Sequence, residues 1–263
     1  MGPDIWAVGD AYEAYIGRWS RAVAAEFVNW LALPPGGRWL DVGCGTGALT
    51  GAVLELADPE HVTAIDPSSG FVGHARAAAG SAPATFLEGD AQSLPFGDGG
   101  FDVTVSGLVI NFVPEPQRAL SEMARTTRAG GTVALYVWDY AEGMELIRRF
   151  WDAAVDLDPA AAALDEAARF PICRPDPLER LLRDAGLVDA AVQPIDVPTR
   201  FRDFDGFWAP FLGAQGPAPS YAMSLDDAGR DALRERLHAT LPRAADGSIA
   251  LTARAWAARG TRP

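Results

Sequence analysis

Arg38-Trp-Leu-Asp-Val-Gly-Cys-Gly-Thr-Gly-Ala-Leu-Thr50 decides the fold. Trp39 to Val42 is a short apolar run and reads as a buried strand. Gly43, Gly45 and Gly47 follow at alternate positions, and Ala48 to Ala57 then reads as a helix. A strand, a glycine turn and a helix open a nucleotide-binding α/β unit. Without Cβ atoms the turn is tight and a ligand can lie against bare main chain. The helix start behind it offers unpaired N–H groups.

The chain continues in the same style. Asp58-Pro59 turns it into His61-Val-Thr-Ala-Ile-Asp66, a second strand ending in a carboxylate 19 residues beyond Gly47. In a doubly wound sheet the end of the second strand lies beside the glycine turn, where a carboxylate can accept ribose hydroxyls. The other reading of Asp66 is an N-cap on the helix that Pro67-Ser68-Ser69-Gly70 opens. Ala84 to Gly89 reads as a third strand, Phe101 to Ser106 as a fourth, Gln117 to Thr127 as a helix ended by Arg128-Ala-Gly-Gly131, and Thr132 to Trp138 as a fifth strand. Five strands alternating with helices predict a parallel sheet.

Several of these stretches together resemble the class I S-adenosylmethionine-dependent methyltransferases. The first is Asp41-x-Gly43-x-Gly45-x-Gly47, which differs from the G-x-G-x-x-G dinucleotide fingerprint. Next come Gly89-Asp90-Ala91 with Leu94-Pro95-Phe96 and Phe101-Asp102, then Val113-Pro-Glu-Pro116 leading to Arg128-Ala-Gly-Gly131. Over residues 36–140 the pattern is similar to the ubiquinone/menaquinone-biosynthesis methyltransferases. It departs from them at Ala129, usually proline, and at Asn111-Phe112, where relatives often carry histidine or another large polar residue.

The resemblance implies a Rossmann-like, doubly wound α/β sheet of seven strands, mostly parallel with an antiparallel last strand, plus a helical cap. It implies a single domain over 1–263, with a core of about 36–140, 176–198 and 247–259 and a cap from 1–31, 140–175 and 199–246. It also implies S-adenosylmethionine as cofactor, with S-adenosylhomocysteine as product. Gly43, Gly45 and Gly47 would face the methionine part of the donor, with Asp41 near its ammonium. Asp66 would take the ribose, and Pro67 would lie against the adenine. Asp90 would accept from the adenine amino group, and the Ala91 N–H would donate to the ring. Ser106 would lie near the ammonium. Arg18, beside the apolar stripe of a helix read over 11–31, is either a partner of the donor carboxylate or a surface arginine.

Composition narrows the acceptor. The net charge is −13, and every one of the 22 basic residues is arginine. Nucleic-acid binding needs clustered positive charge, so a nucleic-acid substrate is disfavoured. The absence of lysine excludes a lysine Schiff base and a Walker A loop. Cys44 and Cys173 form neither a disulfide framework nor a metal pattern, so no metal is expected. No apolar run approaches ~18 residues and no signal peptide is apparent, so the sequence predicts a cytoplasmic protein without a membrane span.

The catalytic residue and the oligomeric state are unassigned. His61, His74 and His238 read as surface histidines, and Asp139 and Tyr140 as either substrate contacts or structural residues. Residues 199–246 carry Phe201, Phe204, Phe207, Trp208 and Phe211, with the last four on one helical face. That face either packs the excursion onto the domain or closes an apolar pocket for a small, neutral or apolar acceptor. The alternatives are a nicotinamide-dependent oxidoreductase and a non-catalytic S-adenosylmethionine-binding protein.

Overall fold

Strand β1 (Arg38–Val42) is buried at every position after the first, as its apolar run requires. Parallel partners flank it: β2 (His61–Asp66) on one side and β4 (Phe101–Gly107) on the other. Beyond β2 lies β3 (Ala84–Glu88), and beyond β4 lies β5 (Thr127–Trp138), both parallel again. Two long strands, β6 (Val188–Phe201) and β7 (Ile249–Thr261), complete a seven-stranded sheet in the order β3-β2-β1-β4-β5-β7-β6. The Gly130 N–H donates to the Arg262 carbonyl at 2.7 Å and the Asp139 N–H to the Arg254 carbonyl at 2.9 Å. Rising numbers on β5 therefore meet falling numbers on β7, and the last strand is antiparallel. The order steps outward on either side of β1 and β4, so the crevice at the carboxyl ends of those strands is the switch point where such sheets bind ligands.

This computed structural model describes residues 17–213 and 216–263, apart from the side chain of Arg18. Its helices are α1 (Arg18–Leu31), α2 (Ala48–Leu56), α3 (Ser69–Ala79), α4 (Pro116–Thr126), α5 (Glu145–Leu157), α6 (Glu166–Arg169), α7 (Pro175–Asp184), α8 (Phe204–Trp208), α9 (Pro217–Ser224) and α10 (Asp227–Thr240). None is long and apolar enough to cross a membrane.

The chain divides into two compact units. One holds Ser20–Val137, Ile172–Ile195 and Ala255–Pro263 and carries the glycine turn. Helix α1 groups with it from Ser20 onward. The other holds Trp138–Pro171 and Asp196–Arg254. Its core is aromatic: Phe150 stacks on Phe211 at 4.6 Å, Trp151 lies 5.4 Å from Tyr221, and Phe201 meets Phe207 edge-on at 5.3 Å. The phenylalanine and tryptophan face of 204–211 is thus spent on packing, with Phe207 and Phe211 wholly buried.

One boundary differs from the local reading. Arg128-Ala-Gly-Gly131 does not end a helix but lies within β5. There the register against β4 jumps from Phe101↔Thr127 to Val103↔Thr132, so the four residues form a bulge. Gly130 sits at φ 72 in it, and Arg128 anchors it through a 2.6 Å bond to Asp102.

Candidate functional site

The site grows from the end of β1. Asp41 is fully buried there. Its Oδ2 accepts a 2.6 Å hydrogen bond from the Thr50 hydroxyl on α2, and its Oδ1 has no partner. Burial, with a smaller contribution from the nearby Asp66 charge, pushes the Asp41 carboxyl up to about 7.

The glycine turn folds back over this acid. The Gly43 and Cys44 N–H groups both donate to the Ile65 carbonyl of β2, at 2.7 and 3.1 Å. Gly43 has φ 78, and a Cβ there would come within 2.6 Å of the Val109 side chain. Gly45 has φ 52, but a Cβ there would meet nothing within 4 Å. The turn therefore presses on Val109 at one glycine and opens onto free space at the next. Gly47, in the left-handed conformation, is the N-cap of α2. Burial, with smaller contributions from the nearby Asp41 and Asp66 charges, holds the Cys44 thiol far above the ordinary range and makes it a poor nucleophile.

Asp66 closes the ring. Its Oδ2 accepts from the Gly45 N–H and its Oδ1 from the Ser68 N–H, each at 2.9 Å. Burial raises its pKa against those two donors. The N-cap of α3 is Ser68, whose hydroxyl accepts from the Phe71 N–H at 3.3 Å. Asp66 is thus a strut between the glycine turn and the β2 exit, with further lone pairs left on both oxygens. Its own carbonyl accepts from the Gly89 N–H at 3.1 Å, which brings the Asp90 loop alongside. Pro67 and Asp90 are exposed there, and Ala91 is half-buried. Ser106, at the end of β4, donates to the Val42 carbonyl at 2.8 Å and ties the two central strands together.

Nine of the ten residues expected to hold a cofactor are thus linked through these bonds or lie next to residues that are. Arg18 begins α1, and its side chain lies outside the described residues. Three contributors were not anticipated: Thr50, which partners Asp41; Val109, which fits against Gly43; and Gln92, which holds Asp90 through three contacts. Only Thr50 carried a signal, as a polar residue in the otherwise apolar first turn of α2.

The candidate bases have local partners or face solvent. His61 bonds Thr85 at the opening of β2, the strand end opposite the turn. His74 is exposed on α3. Asp139 caps its own turn, accepting from the Glu142 and Gly143 N–H groups at 3.2 and 3.0 Å. Tyr140 packs on Phe170. Among the described residues no group of His, Cys, Asp and Glu is arranged to hold a metal.

Residues 40–135 match the family profile described as a methyltransferase domain. A ubiquinone/menaquinone biosynthesis C-methyltransferase of Roseobacter denitrificans is 31% identical over 181 residues, which are 62% of this chain and 71% of that one. The chain belongs to the class I S-adenosylmethionine-dependent methyltransferases. Within them it is related to the ubiquinone/menaquinone methyltransferases, and the nicotinamide alternative falls away. A rice chloroplast 2-methyl-6-phytyl-1,4-hydroquinone methyltransferase is 40% identical over 98 residues, 37% of this chain but only 28% of that protein. A phosphoethanolamine N-methyltransferase of Haemonchus contortus, solved with S-adenosylhomocysteine, shares the fold with a TM-score of 0.58 and 16% identity, over 97% of this chain and 57% of that one.

S-adenosylmethionine is the cofactor of this family, and the residues present fit it. An unpartnered, deeply buried carboxylate oxygen on Asp41 favours a cationic ligand. The open space over Gly45 admits a ligand against main chain, and Asp66 keeps acceptor sites for hydroxyls.

Proposed function

We propose that this protein transfers the methyl group of S-adenosylmethionine to a small, neutral or apolar metabolite. The observation that carries this reading is the Asp66 strut, because it unites the glycine turn, the β2 exit and the start of α3 around one carboxylate. Bound S-adenosylmethionine supplies an electrophilic methyl on a sulfonium, open to in-line displacement.

The chain's own share is then to bind and orient. The Asp66 oxygens accept the ribose hydroxyls with the lone pairs their two N–H donors leave. Asp90 and the Ala91 N–H read the adenine edge, and the exposed Pro67 ring lies against its face. Asp41 contributes negative potential beneath the methionine ammonium. Gly43, Gly45 and Gly47 keep that approach free of side chains.

The acceptor class rests on charge and kinship. The chain carries a net charge of −13, unfavourable for nucleic acid, and of the two curated relatives above one is named for a hydroquinone and the other for ubiquinone/menaquinone biosynthesis. Incubation with methyl-labelled S-adenosylmethionine and separate pools of quinols, phenols, RNA and protein tests this reading. Label should pass into the organic-extractable products. Label in RNA or protein would refute the acceptor class. Binding of the cofactor with no transfer to any pool would favour the non-catalytic alternative.

A further inference from the structure

The loop after β3 holds its carboxylate with unusual completeness. Asp90 Oδ1 accepts from the Gln92 backbone N–H at 2.9 Å and from Gln92 Nε2 at 3.2 Å, and Oδ2 accepts from the same Nε2 at 3.2 Å. An ionised carboxylate offers about four acceptor sites, so these contacts leave room for one further donor on the Oδ2 side.

The other end of the Gln92 amide is fixed as well. Its Oε1 accepts from the Glu115 N–H at 3.0 Å, and its backbone carbonyl accepts from Arg118 Nε at 2.9 Å. Glu115 is the residue before α4, so these contacts tie the loop after β3 to the entrance of that helix. Both ends dictate the same amide orientation. A flipped amide would set its carbonyl against the Asp90 carboxylate and its NH2 against the Glu115 N–H, losing both bonds.

The remainder of the loop is fastened to the same helix. The Leu94 N–H donates to Glu122 at 2.8 Å, and Arg125 donates to the Leu94 and Phe96 carbonyls at 3.1 and 2.8 Å. With the loop fixed at those points, Gln92 is the group that sets the direction of the Asp90 carboxylate.

We propose that Gln92 is a positioning residue for cofactor recognition, its amide locked between Glu115 and Asp90 so that one Asp90 oxygen is presented to the adenine amino group. This rests on the reading of Asp90 given above and adds the device that enforces it. A carboxylate held this way accepts from a 6-amino group and is repelled by a 6-oxo group. Discrimination between adenine and hypoxanthine then depends on Gln92 as much as on Asp90.

The test measures the affinity of the folded protein for S-adenosylhomocysteine and for its 6-oxo analogue, S-inosylhomocysteine. It compares the parent with Asp90→Asn, Gln92→Leu and Gln92→Glu. Gln92→Leu should weaken S-adenosylhomocysteine by about tenfold and reduce the preference for the 6-amino ligand by a similar factor. Gln92→Glu keeps the side-chain length but sets two carboxylates together. Its preference should be lost near neutral pH and return at acid pH, where the introduced carboxyl takes a proton and donates to Asp90. Mere loosening of the loop would not produce that recovery. If Asp90→Asn abolishes the preference while both Gln92 variants keep it at every pH, the Gln92 proposal is wrong and the Asp90 reading stands. A Gln92→Glu preference that is lost and does not return at acid pH would also overturn the positioning role. If Asp90→Asn keeps the preference, the Asp90 reading fails and this proposal fails with it.

Discussion

The Thr50 hydroxyl lies 2.6 Å from Asp41 Oδ2 and is the side-chain hydrogen bond held by a carboxylate buried at the end of the central strand. Removing one partner of a buried polar pair costs more than the bond itself, because the remaining group stays desolvated. Thr50→Val should therefore lower unfolding free energy by about 1–3 kcal/mol, as read by denaturant titration. It should also push the Asp41 carboxyl further up. A variant as stable as the parent would show that Asp41 is satisfied by other means.

Asp41 and Glu166 both contribute to the pH dependence of stability. Asp41 is pushed up to about 7, and Glu166, buried and bonded by the Trp151 indole N–H, is pushed up to about 8. In the unfolded chain both titrate near 4, so between pH 4 and 8 the folded state binds more protons than the unfolded state. Stability from these groups is then fully present at the acid end and is lost as pH rises through 7 and 8. Glu166→Gln keeps a neutral group in place and should flatten the slope of unfolding free energy between pH 5 and 8. An unchanged slope would mean that Glu166 is ionised in the folded protein.

The glycine turn makes a coupled prediction. Gly43→Ala introduces a Cβ about a bond length too close to Val109 and strains a backbone at φ 78. It should destabilise the fold and weaken S-adenosylhomocysteine. Val109→Ala in the same chain should restore part of the stability, because it removes the clash and leaves the φ strain. Simple additivity of the two substitutions would contradict the packing seen here.

The aromatic face of 204–211 can be tested apart from the cofactor. Phe207 is wholly buried against Phe201 and Phe211, so Phe207→Ala should cost about 3–5 kcal/mol of stability. S-adenosylhomocysteine affinity, measured where the variant is folded, should hardly change. A large loss of affinity with little loss of stability would return this face to a ligand-binding role.

These residues also mark what the sequence could convey. The glycine turn, the carboxylate closing β2 and the alternation of strands and helices are local patterns, and the sheet around them was readable. The bulge at Arg128–Gly131 was not, because Arg-Ala-Gly-Gly looks like a helix stop. Its true partners are Asp102 and Arg262, far away in sequence. The periodicity of Phe204, Phe207, Trp208 and Phe211 showed that one face was apolar but not what it would pack against. Gln92 gave no signal because its meaning lies in bonds to two loops. The position of Asp66 at the end of β2 is local, yet its contact to the Gly45 N–H, which makes it a strut as well as a ligand candidate, needed coordinates.

The central claim is that the carboxylate of Asp66 holds the donor's ribose beside the glycine turn. Calorimetric titration of S-adenosylhomocysteine into the parent and into Asp66→Ala, with the variant's fold checked by thermal melting, tests it most directly. The parent should bind one equivalent, and the folded variant should bind about 10–100-fold more weakly, the loss of roughly 1.5–3 kcal/mol expected for hydrogen bonds to a charged group. Equal affinity in a folded variant, or no binding by the parent, would contradict the account.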